Sequence, residues 1–140
     1  MLSTFTQTIE KFENLLARIE LLTTLGDVDA IDRELDVLRS YRTCYYCVRY
    51  RTLLDGRAPG CCDRCPVHKF GEKWQGRPRA YNGCYSVPAY HDMVRLATLF
   101  SRQKDVRMLG HLIDAIRAVI SLLRIYEPEL HVQDGGATIQ

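Results

Sequence analysis

Residues 5–22 read FTQTIEKFENLLARIELL. Phe5, Ile9, Phe12, Leu15, Leu16, Ile19 and Leu22 recur at intervals of three and four, which on a 3.6-residue turn gathers them into one apolar stripe. The stretch is therefore an amphipathic helix, and Ser3 or Thr4 can cap its start. Around Leu25-Gly26-Asp27 the pattern pauses. Gly26 suits a helix end and Asp27 a new start, after which Ile31, Leu35 and Leu38 resume the stripe. A break and a kink in one long helix both satisfy that pattern.

Helical spacing returns near the carboxyl end. Met93, Leu96, Leu99 and Phe100 make a short stripe, and Val106, Leu109, Leu112, Ile113, Ile116, Val119, Ile120 and Leu123 a longer one. The polar run Ser101-Arg102-Gln103-Lys104-Asp105 joins them, and Glu127-Pro128 stops the second. We expect helices over 3–25, 28–42, 89–101 and 105–126. No strand alternation or internal repeat competes with them. With 140 residues the chain has room for a single domain, spanning 1–132, and the polar tail 133–140 reads as disordered.

Between the second and third helices the periodicity fails. From Cys44 to Val87, turn residues (Gly56, Pro59, Gly60, Pro66, Gly71, Gly76, Pro78, Gly83) come at short intervals. All six cysteines fall in this stretch, two pairs of them as Cys-x-x-Cys steps: Cys44 with Cys47 and Cys62 with Cys65. A loop of fourteen residues, Val48 to Cys61, separates the steps. Each short turn points two sulfurs one way, so four thiolates can surround one tetrahedral ion. Ordering a segment without a core costs roughly 1–2 kcal/mol per residue. Structural zinc, with apparent binding free energies of roughly 10–16 kcal/mol in small peptides, supplies what the missing core does not. The expected fold is thus mainly α, a small helical bundle with an inserted Cys-rich zinc-knuckle segment over 44–87. A short hairpin inside the knuckle is compatible with it.

Alternatives stay open at the cysteines. An even count admits disulfides, although a reducing compartment favours metal. Four cysteines also hold an iron–sulfur cluster, and Cys65-Pro66 matches the proline that follows a cluster ligand in bacterial ferredoxins. Cys84 can replace one ligand. Cys61, adjacent to Cys62, reads as a spare or buried thiol. His68 has the spacing of a substitute ligand, but a solvent-facing histidine is the simpler reading; His91, His111 and His131 carry no useful spacing. Four thiolates leave no open position for water, so such a zinc is structural rather than catalytic.

The order Cys44-x2-Cys47, Cys62-x2-Cys65-Pro66-Val67, then Gly83-Cys84-x2-Val87-Pro88-x-Tyr90 resembles a loosely defined set of small bacteriophage proteins of unassigned function. In these, two Cys-x-x-Cys steps are followed by Pro-Val or Pro-Ile, then by a Gly-Cys and a Pro-Tyr. The resemblance covers roughly residues 44–90 and not the flanking helices. Val87 stands where a polar residue is usual, and Cys61 is extra. The resemblance implies a phage or prophage origin, a cytoplasmic setting in an infected bacterial host cell, and a place for Cys84 in the metal site. It implies no activity.

Charge divides the chain. Residues 1–38 carry three Lys/Arg against eight Asp/Glu, residues 39–79 carry ten against three, and the remainder six of each. The cysteine segment is thus also the basic one, and it would meet an anionic partner or the acidic amino end. Its basic residues alternate with Tyr41, Tyr45, Tyr46, Tyr50, Phe70, Trp74, Tyr81 and Tyr85, so phosphate neutralisation with base stacking is one available function. An isoelectric point near 8.2 is only mildly basic for a dedicated nucleic-acid binder. The preferred expectation is a protein-interaction role toward a host or phage partner. Arg49, Arg51, Arg57, Lys69, Lys73, Trp74, Arg77 and Arg79 are the contact candidates in either case. The acidic helices offer a second face or a solvated one, and a homodimer through helix faces would bury any apolar excess.

Enzyme activity is not expected. The chain has no Gly-rich phosphate loop, Gly-x-Ser-x-Gly or His-Glu-x-x-His, and Cys44 follows a helix where a redox dithiol follows a strand. No apolar run approaches the roughly 20 residues that span a bilayer. The amino end lacks a basic start and a continuous apolar segment, so an intracellular protein without membrane contact is expected.

Overall fold

The computed structural model describes residues 3–39, 88–128 and 130, and among these the chain is almost entirely helical with no strand. The first helix, α1 (Thr4–Leu25), starts where Ser3 accepts a hydrogen bond from the Thr6 N–H at 3.0 Å, which satisfies one of the free amides of the first turn. It stops at Gly26, whose φ of 73° lies in the left-handed region. The Gly26 N–H donates to the Thr23 carbonyl and the Asp27 N–H to the Leu22 carbonyl, both at 3.2 Å. This is the paired hydrogen bonding of a Schellman end, and it settles the pause at Gly26 as a break. Asp27 then serves the next helix, since its carboxylate accepts from the Ala30 N–H at 3.0 Å.

That helix, α2 (Val28–Leu35), tightens into a 3-10 turn at Asp36–Arg39. The third, α3 (Pro88–Gln103), opens on a proline, whose missing N–H would be unsatisfied at that position anyway. Lys104 ends it at φ 48°, with its N–H donating to the Phe100 carbonyl at 2.8 Å. Asp105 caps a second 3-10 turn, Val106–Met108, before α4 (Leu109–Ile125) begins. The joint between the last two helices, residues 104–108, consequently lies three residues further along the chain than the polar run 101–105, because α3 continues through Gln103 and a 3-10 turn precedes α4.

Ion pairs fix the helix directions. Glu13 meets Arg124 at 2.7 Å and Glu20 meets Arg117 at 3.3 Å, so α4 runs back seven residues as α1 advances seven. α1 and α4 are antiparallel neighbours. The Gly26-Asp27 turn folds α2 back along α1, where Arg18 reaches Glu34 at 2.9 Å. Lys104, just past the end of α3, lies 3.0 Å from Asp29 and 3.7 Å from Asp32 at the start of α2, while the 3-10 turn after α2 packs on α3. α2 and α3 are therefore antiparallel too, and the short joint makes α3 and α4 so. The result is an up-down-up-down bundle.

Its core follows the stripes with informative exceptions. Phe5, Ile9, Phe12, Leu15 and Ile19 of α1 face Ile31, Leu35 and Leu38, and six residues of α4, Leu109, Leu112, Ile116, Val119, Ile120 and Leu123, close the other side. Phe12 meets Tyr90 edge to face, ring centres 6.0 Å apart at 80°. On α3 the buried face is Tyr90, Met93, Ala97 and Phe100, whereas Leu96 and Leu99 are half-buried. Val106 is 56% exposed because the 3-10 turn carries it off the stripe. Leu130, beyond the end of α4, is buried, its N–H bonded to the Tyr126 carbonyl at 2.9 Å. No helix among the described residues is long and apolar enough to cross a membrane.

Candidate partner-binding end of the bundle

The sequence places every expected ligand and contact between α2 and α3. Cys44, Cys47, Cys62, Cys65 and Cys84 lie outside the described residues, as do Cys61, His68, Arg49, Arg51, Arg57, Lys69, Lys73, Trp74, Arg77 and Arg79. The expected knuckle hairpin and the tail 133–140 lie outside them as well. What the structure does supply is the frame on which that segment is mounted. α2 descends to Arg39 and α3 ascends from Pro88, with the 3-10 turn of the first against the second. The segment therefore leaves and re-enters at one end of the bundle. The start of α1 and the finish of α4 share this end, by the antiparallel order established above.

Electrostatics of the helices bears on what the basic segment meets. At least six of the eight acids in residues 1–38 have partners within the described helices. Glu13 and Glu20 take Arg124 and Arg117; Asp29 and Asp32 share Lys104; Glu34 takes Arg18; and Asp27 caps α2. The acidic excess of the amino-terminal third is thus met largely by cations of the carboxy-terminal third. It is a stitched helix face more than a vacant one. Lys104 is held above its ordinary pKa, chiefly by its hydrogen bond to Asp29 and then by that carboxylate's charge. At the same end, Asp105 is held below the usual carboxylate range, first by the hydrogen bond from the Arg107 side chain and then by the Arg107 N–H. Both groups are fully charged near neutrality.

A shallow groove of about 460 Å³ runs between α3 and α4. Ala89, Ala115 and Ala118 keep it open because they place no long side chain over the helix crossing, and Asp92, Arg95, His111 and Asp114 rim it. Sequence spacing misses this groove, since its members come from two helices and share no motif. The rim charges are loosely engaged, Asp92 with Arg95 at 3.9 Å and Asp114 with Arg117 at 3.8 Å. His91 stands 3.9 Å from Asp92 by its Nδ1. Among the described residues no three His, Cys, Asp or Glu side chains come together as a metal site.

No protein-family model matches this chain, and neither does any curated protein or any solved structure.

Proposed function

We propose that this is a small zinc-stabilised, phage-type interaction protein, in which the helical bundle is a scaffold and the Cys-rich segment binds a host or phage protein partner. Cys44, Cys47, Cys62 and Cys65, with Cys84 as substitute or neighbour, would hold one zinc in a closed, structural site. The protein would act by binding and not by catalysis, in the cytoplasm of an infected bacterial host cell. The observation that carries this reading is the placement of the segment. It joins two neighbouring helices at one end of a bundle in which Glu13, Glu20, Asp29, Asp32 and Glu34 are paired with cations of the bundle itself. The surplus of ten basic residues over three acidic ones in 39–79 favours an anionic surface as the target.

A second reading takes that surface to be nucleic acid. The interleaving of Arg49, Arg51, Arg57, Lys69, Lys73, Arg77 and Arg79 with Trp74 and the tyrosines favours it, since cations on phosphates and rings on bases act together. Metal content and visible absorption of protein purified without chelator test the common premise. One colourless zinc per chain is the expected result. Iron with a brown colour would replace zinc by an iron–sulfur cluster and turn the proposal toward redox chemistry; absence of both would sink it. Nucleic-acid retention measured across a salt series then separates the two readings. Under the second, changing Arg49, Arg51, Arg77 and Arg79 together to alanine lowers retention and flattens its salt slope. Under the first, wild type and variant are equally near background.

A further inference from the structure

We draw no further inference here: the strongest candidate, the shallow groove between α3 and α4 rimmed by Asp92, Arg95, His111 and Asp114, carries nothing because nothing in the structure shows what covers it.

Discussion

At Gly26 the backbone takes φ 73°, and a Cβ built there would meet nothing within 4 Å. Space does not demand glycine; conformation does. An L side chain in the left-handed region costs roughly 1–2 kcal/mol, so Gly26→Ala is expected to lower stability by about 1 kcal/mol, and Gly26→Asn by less. Denaturant midpoints of the two variants check this, and equal midpoints would contradict the conformational account. Thr8 presents the opposite situation. It is fully buried on α1, and its hydroxyl has no hydrogen-bond partner among the described residues. An unpaired buried hydroxyl forfeits roughly 1–3 kcal/mol of desolvation without return, and valine keeps nearly the same shape. Thr8→Val is therefore expected to raise the thermal midpoint by a few degrees, following about 1 kcal/mol of added stability. A lowered midpoint in calorimetry would mean that the hydroxyl is satisfied after all. Nothing in the sequence marks Thr8, because a threonine on an apolar stripe reads the same whether its oxygen is paired or not.

Helices and their joints were legible to the extent that periodicity carries information. The stripes of α1 and α4 locate most of the buried positions, although Leu16, Leu22 and Ile113 are only half-buried and Val106 is exposed. On α3 the rule finds part of the face: Met93 and Phe100 are buried as spaced, but Leu96 and Leu99, which outweigh Ala97 in hydrophobicity, are half-buried while the small Ala97 is buried and Tyr90 packs on Phe12. Close helix approach selects size there, a property that hydropathy spacing does not weigh. The interhelical ion pairs were illegible for a different reason, since Glu13 and Arg124 become neighbours only through the antiparallel register. As exposed pairs they contribute about 0–1 kcal/mol each, so they report that register while the shared apolar core holds it. The joint before α4 has its own pH signature. Asp105, lowered by Arg107, contributes stability that is present above the unfolded carboxylate pKa of about 3.9 and is lost as pH falls through its lower folded value. Lys104, raised by Asp29, contributes below its unfolded pKa of about 10.4, and that contribution is lost as pH rises through its higher folded value. Neither window touches neutrality. The difference in thermal midpoint between wild type and Arg107→Ala should thus be constant from about pH 5 to 9 and shrink below about pH 4. A difference that persists unchanged into strong acid would place the Arg107 effect elsewhere than on Asp105.

For the molecule as a whole, the decisive relation is between a bundle that closes on itself and a segment that interrupts it. Sequence composition separates the two, because turn residues and cysteines replace apolar spacing abruptly at Cys44 and give way again at Pro88. Composition does not say that both junctions share one end of the bundle. That follows only from the antiparallel order of all four helices, which rests on pairings such as Arg18 with Glu34 and Lys104 with Asp29. The described helices contribute a contiguous core from Phe5 to Leu130, and Arg39 lies in a turn packed on α3, so a short connection can close the gap. Replacing residues 40–87 by a linker of about six Gly and Ser residues, a usual length for a helix–helix connection, should leave a helical, cooperatively unfolding bundle. Such a connection also shortens the loop that folding must close, which offsets part of any packing energy that the segment itself supplies. Circular dichroism and thermal unfolding read the fold, and metal analysis reads the segment. A folded, zinc-free variant beside a zinc-loaded full chain would locate the metal in the segment and the fold in the helices. An unfolded variant would mean that the segment, and whatever it binds, is a structural member of the bundle, and the scaffold reading would fail with it.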